Sequence, residues 1–442
     1  MMMASRRYLS RLAQSRVLSV TPSTSMIDQQ VAIKATGMEA NSLVTIRSVI
    51  EKKTNKGFDT FESHAHYKAD NKGEVSVPDQ ASLSGEYNGT EPMGLFWSMV
   101  PSPGVRFGSR YIHRDATKPM IVQLSLYDGH LDAAALQTKE PEATAVTERW
   151  YMGKDVERIE VESGRLRGAL FKPKGPGPFP GVIDMFGTSG GLIEIRAAML
   201  ASHGFACYAL PYFNYRDLPK ELWMVEAEYF RDAIDWVCDQ PYVKPGGIGT
   251  LGTSAGANLS LQMAALFPEK VNAAISINGS HAMTFSMTLN GVEIPYYGFD
   301  DRFLRETEVK GLYDMFHCWK ALYKVPDEHG SILKVENNPK CKYLFIVGEG
   351  EGAWDSCFYA KKNIERLERY GCSNYQLLSY PEAGHLLEIP WAPVGSRFWS
   401  PASAVVGEHG GTAIGNIRAM EDMWPKIISC LRRHCGLNNS KL

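Results

Sequence analysis

A doubly wound, mostly parallel α/β sheet behind an antiparallel β-sandwich is the fold this chain predicts, on three observations. Up to about residue 147, short β-rich runs recur between turn residues, with apolar and polar positions alternating. From Trp150 onward, apolar runs of strand length alternate with helical patterns, as a parallel sheet with crossover helices requires. Between one such run and one such helix stands Gly252-Thr253-Ser254-Ala255-Gly256, a G-x-S-x-G sequence in a strand–turn–helix context.

At 442 residues the chain is too long for one ordinary core, and two domains are expected. Residues 1–17 read as a targeting or disordered extension. Arg6, Arg7, Arg11 and Arg16 interleave there with Leu9, Leu12 and Val17, and no acidic residue precedes Asp28, the composition of a mitochondrial transit peptide. Residues 18–147 form the first domain, an immunoglobulin-like β-sandwich, with strands over Val31–Ala35, Ser42–Val49, Phe61–Tyr67 and Met120–Leu126. No Cys…Trp…Cys pattern is present, which excludes a true immunoglobulin domain. His64 and His66 share one strand face but lack a third ligand, so no metal is expected. Ala133–Thr147, polar and alanine-rich with Pro141, reads as a linker.

Residues 148–437 form the second domain. Phe179–Phe186 reads as a strand that runs into the glycine-rich Gly187-Thr188-Ser189-Gly190-Gly191 and a helix through His203. Glu221–Cys238 has apolar residues at helical spacing, and its Trp223, Tyr229 and Trp236 read as core. Gly247–Leu251 is a small, apolar buried strand, and Ala257–Phe267 is the helix after the serine, stopping before Pro268. Lys342–Val347 is a continuous apolar run, as in a central parallel strand. It ends in the acid-bearing Gly348-Glu349-Gly350-Glu351-Gly352. Tyr375–Tyr380 is a last strand, ending in Pro381-Glu382-Ala383-Gly384-His385. Residues 438–442 are a flexible tail ending Ser440-Lys441-Leu442, the tripeptide read by the peroxisomal import receptor. Peroxisome is the first expected location and the mitochondrial matrix the second.

The chemistry follows from where these residues fall. A serine at a glycine-flanked elbow becomes a nucleophile when a base and an orienting acid reach it, and in the α/β-hydrolase fold they follow in the order Ser, Asp/Glu, His. Ser254, Glu351 and His385 keep that order, each just past the carboxyl end of a strand, where open α/β sheets place their sites. His409, in Gly407-Glu408-His409-Gly410-Gly411, is the weaker competitor for the base. For the acid, Glu351 fits the loop best, while Asp355 lies four residues on and Glu349 nearest the strand. The oxyanion donors are expected to be the Ala255 amide with that of Phe186 or Gly187. The glycine-rich loop matches neither G-x-x-x-x-G-K-[ST] nor G-x-G-x-x-G, so no nucleotide cofactor is expected.

Composition narrows the partners. Hydrophobic content of 44% and charged content of 22% are those of a soluble globular protein. A net charge of −2 without a basic tract gives no sign of nucleic acid, and no apolar run reaches membrane-span length. The eight cysteines begin at Cys207 and lack C-x-x-C spacing, so reduced, mostly buried thiols are expected. Asn88-Gly89-Thr90 and Asn278-Gly279-Ser280 match the glycosylation sequon but read as turns.

Several segments carry a family resemblance: Glu91-Pro92-Met93-Gly94-Leu95, Asp128-Gly129-His130, Gly177-Pro178-Phe179-Pro180-Gly181, Asp184-Met185-Phe186-Gly187, and Tyr212-Phe213-Asn214-Tyr215-Arg216-Asp217-Leu218-Pro219. From about residue 18 to about residue 437 the chain resembles the acyl-coenzyme A thioesterases related to bile acid-CoA:amino acid N-acyltransferase. The resemblance implies a β-sandwich followed by an α/β-hydrolase domain, with Ser254 as nucleophile, His385 as base and Glu351 where the family usually has Asp. Bile acid-conjugating members generally carry Cys at the nucleophile position, so Ser254 implies hydrolysis of a fatty acyl-CoA. Conjugation to an amino acid such as glycine or taurine is the alternative. Ala255 stands where thioesterase members commonly have Lys.

Overall fold

The computed structural model describes residues 15–54, 57–222, 225–401 and 403–436. Arg6, Arg7 and Arg11 of the basic segment, and the terminal Ser440-Lys441-Leu442, lie outside the described residues. Arg16, assigned above to the extension, belongs instead to the first domain, where it ion-pairs with Asp128 and, at 2.9 Å, with Glu142.

Eight strands make the central sheet: β1 (Val156–Ser163), β2 (Leu166–Pro173), β3 (Gly181–Met185), β4 (Ala206–Ala209), β5 (Ile248–Thr253), β6 (Val271–Ile277), β7 (Lys342–Gly348) and β8 (Tyr375–Tyr380). Their order is β1-β2-β4-β3-β5-β6-β7-β8. β2 runs antiparallel to β1 and β4, and every later neighbour pair is parallel. This is the α/β-hydrolase arrangement. β3 and β5 are buried along their whole length, as strands covered on both faces must be.

Helices α1 (Ile195–Ser202), α2 (Ala227–Cys238), α3 (Ala255–Leu266), α4 (Ser356–Arg369) and α5 (Ala413–His434) supply the covering layers. α1 and α5 join a core that continues into the first domain, through residues such as Trp424, Met199, Phe96 and Ile33. α2, α3 and α4 pack on the opposite face around Phe230, Leu259 and Tyr343. α2 starts six residues later than its apolar spacing suggests. Val225–Glu226 pairs as a strand with Met287–Thr288, and this tertiary pairing overrides the helical pattern. Tyr229 is buried and Trp236 half-buried, whereas Trp223 lies outside the described residues.

The first domain holds two sheets. Val17–Thr21, Ala32–Thr36 and Val75–Ser76 form the smaller. The larger runs in the order Thr24–Met26, Ala143–Trp150, Met120–Asp128, Leu43–Thr54, Gly57–Lys68, Ser84–Gly85. The segment 133–147 is therefore not a plain linker: its last part is strand, and the sheet continues through Trp150. His66 spends both ring nitrogens on Ser84 Oγ at 2.7 Å and Leu131 O at 2.9 Å, leaving neither for a metal. Among the described residues no group of His, Cys, Asp or Glu is arranged to hold a metal ion, and no helix is long and apolar enough to cross a membrane. All eight cysteines are free thiols.

The two domains are joined by side chains rather than by one linker. Asp28 accepts from His203 Nε2 at 2.6 Å and from Trp424 Nε1 at 3.0 Å. Arg110 reaches Glu388 at 3.0 Å, close in sequence to His385.

Candidate active site

Ser254 sits between β5 and α3 at φ +58° and ψ −124°, a conformation that a non-glycine residue adopts only when its surroundings impose it. The flanking glycines impose it here. A Cβ on Gly252 would lie 1.9 Å from Gly256 O, and one on Gly256 would lie 2.5 Å from Met185 O. Only backbone without side chains closes the turn and seats it against the end of β3. The Ser254 amide donates to Ile277 O at 2.9 Å, anchoring the turn to β6. Its hydroxyl makes no hydrogen bond among the described residues, and the serine lines a cavity.

His385 follows β8. Its Nδ1–H donates to Glu351 Oε2 at 2.8 Å, with both side chains almost fully buried. This fixes the tautomer and leaves the Nε2 lone pair free. The same carboxylate accepts from Ala353 N and from Ser356 Oγ, each at 2.8 Å, so three donors orient it. Asp355 is engaged elsewhere: it caps α4 by accepting from Phe358 N at 2.9 Å and accepts the Tyr323 hydroxyl at 2.8 Å. Glu349 accepts from Ser379 Oγ at 2.7 Å on the surface. The geometry thus brings Glu351 to His385 and takes the other two acids away from it.

Asn278, a sequon position, is buried at the centre of this loop system. Its side-chain amide donates to the carbonyls of Gly384 and His385 at 2.9 and 2.8 Å, and its oxygen accepts from Gly348 N at 2.9 Å. The loops carrying the histidine and the acid are therefore tied together by one residue that sequence reasoning passed over.

The serine and the histidine are not hydrogen-bonded to each other. Both line the same cavity of about 490 Å³, and in unliganded enzymes such contacts are often long. Phe213, Phe285, Phe299, Trp319 and Trp354 make its walls largely aromatic. Several of these come from the stretch between β6 and β7, whose length was the signal that it does more than connect two strands. Among the lining residues Lys220 brings a cation to the cavity, in a chain that has Ala255 beside its serine.

On the donor side, the Ala255 amide opens α3 and meets no carbonyl. Gly187 crosses directly over the serine: a Cβ there would lie 2.9 Å from Ser254 Cβ and 3.3 Å from its Oγ. The Tyr212 hydroxyl donates to Phe186 O at 2.5 Å and reaches Gly187 O at 3.2 Å. In a trans peptide the Gly187 N–H points opposite the Phe186 carbonyl, hence away from Tyr212.

Beneath the turn lies a buried ion pair with no precedent in the sequence reading. Arg196 Nε donates to Asp184 Oδ1 at 2.6 Å, Nη1 to Thr253 Oγ1 at 2.6 Å and Nη2 to Met185 O at 3.0 Å. It thereby clamps the ends of β3 and β5, the strands that carry the donor loop and the serine. An acid within the apolar run Gly181–Phe186 was its only sequence signal. Arg196→Leu strands the Asp184 carboxylate in a sealed site, so a stability loss of about 3–5 kcal/mol is expected in denaturant titration. Asp184→Asn/Arg196→Leu, which removes the charge as well, is expected to recover part of it.

His409, the competing histidine, lines the cavity too, but its Nδ1 bonds the Gly407 carbonyl at 2.9 Å rather than a carboxylate. Of these two cavity histidines, His385 is the one with an acid behind it.

A strained serine and an acid-backed histidine thus line one cavity, with the Ala255 amide beside them. Residues 28–163 match the family described as acyl-CoA thioester hydrolase/BAAT N-terminal region. Residues 225–437 match BAAT / acyl-CoA thioester hydrolase C terminal. Acyl-coenzyme A amino acid N-acyltransferase 1 of Mus musculus is 37% identical over 96% of this chain and 99% of its own length. Bile acid-CoA:amino acid N-acyltransferase of Homo sapiens is 37% identical over 94% and 97%. Acyl-coenzyme A thioesterase 1 of Homo sapiens is 36% identical over 92% and 94%. Matched along both domains and over nearly its whole length, the chain belongs to the family of acyl-CoA thioester hydrolases and bile acid-CoA:amino acid N-acyltransferases.

Proposed function

We propose that this protein is a serine-dependent acyl-CoA thioesterase that hydrolyses fatty acyl-CoA to fatty acid and coenzyme A. The observation that carries the reading is the strained Ser254 sharing a cavity with a His385 that Glu351 holds at 2.8 Å. Identity alone does not choose between hydrolase and transferase, since relatives of both names match at 36–37% over more than nine-tenths of this chain. The serine nucleophile favours hydrolysis.

In the proposed cycle, His385 Nε2 takes the Ser254 proton as Oγ attacks the thioester carbonyl. The oxyanion is met by the amides of Ala255 and Gly187, with Phe186 the alternative second donor. The tetrahedral intermediate expels coenzyme A thiolate, which receives the proton from His385. Water then gives a proton to His385 and its oxygen to the acyl carbonyl, and the fatty acid leaves as Ser254 regains its proton. The Glu351 carboxylate stabilises the imidazolium formed in each half-reaction. The aromatic cavity suits an apolar acyl chain.

The same proposal includes an immunoglobulin-like first domain, a boundary between Trp150 and Val156, and delivery to the peroxisome by the import receptor through Ser440-Lys441-Leu442. Entry into mitochondria through the basic N-terminal segment is the second possibility; one relative is named acyl-coenzyme A thioesterase 2, mitochondrial.

Product analysis tests the activity. Incubated with palmitoyl-CoA and either glycine or taurine, the protein is expected to yield palmitic acid with little amide, read by mass spectrometry. Predominant amide overturns hydrolysis in favour of the acyltransferase.

A further inference from the structure

Among the polar side chains that line the cavity and that the mechanism does not use is His409. His409 lies in the connection between β8 and α5, and its backbone is pinned on both sides: its amide donates to Ser396 O at 2.6 Å, and its carbonyl accepts from His385 N at 2.8 Å. Its ring lies flat on Phe398, centroids 3.5 Å apart, and stands 5.8 Å from the His385 ring. Neither contact leaves it free to turn.

Its protonation is set by its surroundings. The Gly407 carbonyl only accepts, so Nδ1 carries the hydrogen and Nε2 the lone pair. Burial, then the neighbouring His385, pushes its pKa well below the usual histidine value, with the Arg110 charge acting in the same direction. The imidazole therefore stays neutral at physiological pH. Among the described residues Nε2 has no hydrogen-bond partner, yet it is not sealed like His281 Nδ1, because His409 lines the cavity.

Two histidine rings, each with its lone pair on Nε2, thus line one cavity with Ser254. A water that attacks an acyl carbonyl has two O–H bonds and must aim its own lone pair at the carbon. With one acceptor it can still rotate; with two it cannot. Two acceptors bonded to one tetrahedral oxygen at about 2.8 Å stand about 4.6 Å apart, a spacing that rings 5.8 Å between centroids accommodate.

We propose that His409 Nε2 is the second hydrogen-bond acceptor for the nucleophile that discharges the acyl-enzyme, orienting water while His385 takes its proton. The inference rests on the Ser254 acyl-enzyme proposed above. His409 itself gains no proton: the water O–H facing it becomes the hydroxyl of the fatty acid product, whose proton is then lost to solvent. The role belongs to deacylation alone, since no water takes part in the attack of Ser254 on the thioester.

The test separates the two half-reactions. His409→Asn keeps an amide N–H for the Gly407 carbonyl but removes the acceptor at Nε2, whereas His409→Gln returns an acceptor near that point. Each variant is mixed with octanoyl-, lauroyl- and palmitoyl-CoA. The first burst of free thiol reports acylation, steady turnover reports the slower half-reaction, and intact-protein mass reports the acyl adduct. With His409→Asn, we expect an unimpaired burst, an adduct that accumulates on Ser254, and turnover lowered ~10-fold or more, as loss of nucleophile orientation implies. His409→Gln is expected to recover part of the turnover and to shed the adduct. Unchanged turnover in His409→Asn overturns the proposal, and so does a burst slowed as much as turnover with no adduct. Retention of the burst in Ser254→Ala marks a different failure, that of the acyl-enzyme itself.

Discussion

Ser254→Ala is expected to lower thiol release from acyl-CoA by at least ~10⁴-fold while leaving the fold intact, the scale on which loss of a catalytic serine acts. The clean separation of activity from stability follows from what Oγ does not do. It caps no amide of α3 and makes no hydrogen bond among the described residues. Deleting it therefore removes no structural contact, and alanine carries the same Cβ into the same φ of +58°. The stability change is expected to stay within about 0.5 kcal/mol, so thermal melting of the variant should overlay that of the native protein. Undiminished thiol release would mean that the reaction does not pass through this serine, however well it is placed.

The elbow was legible because it is written in small residues. Gly252, Ser254 and Gly256 stand between a strand pattern and a helix pattern, and the packing distances around Gly252 and Gly256 show why no other residue fits there. The positions of Glu351 and His385 were legible too, since each directly follows an unmistakable strand. What escaped the sequence depends on partners far along the chain. Ala133–Thr147 reads as linker because it is polar and alanine-rich, and only pairing with Met120–Asp128 makes its last residues part of the strand Ala143–Trp150. Val225–Glu226 has helical neighbours but finds a strand partner some sixty residues away. The Arg196–Asp184 clamp and the bridging role of Asn278 show almost nothing locally, because each joins segments that meet only in the folded protein. His409 was seen and ranked below His385 as a base. The structure distinguishes the two by the group behind each ring, a carbonyl for one and a carboxylate for the other.

Replacement of Glu351 is expected to be nearly as damaging as loss of the serine, and Glu351→Gln is the informative change because it preserves shape. In the native site Oε1 faces the Ala353 N–H, and Oε2 faces both the Ser356 hydroxyl and the His385 Nδ1–H. A carboxylate satisfies donors on both sides; an amide has an acceptor on only one. If the glutamine turns its NH₂ toward Ala353, two N–H groups collide. If it turns NH₂ toward His385, the imidazole must present a lone pair at Nδ1 and move its hydrogen to Nε2, where the base for Ser254 is needed. Either arrangement also leaves the imidazolium without a counter-charge. A fall in kcat of ~10⁴-fold is expected, the magnitude that a wrong tautomer produces in serine proteases. Asp355→Ala provides the contrast. It removes the cap of α4 and a bond to Tyr323, so a stability loss of about 1 kcal/mol is expected, with activity retained in the folded fraction. Measured side by side, kcat and denaturant midpoint should move in opposite columns for the two acids: activity for Glu351, stability for Asp355. The reverse ranking would assign the orienting acid to Asp355 and require the loop after β7 to rearrange when substrate binds.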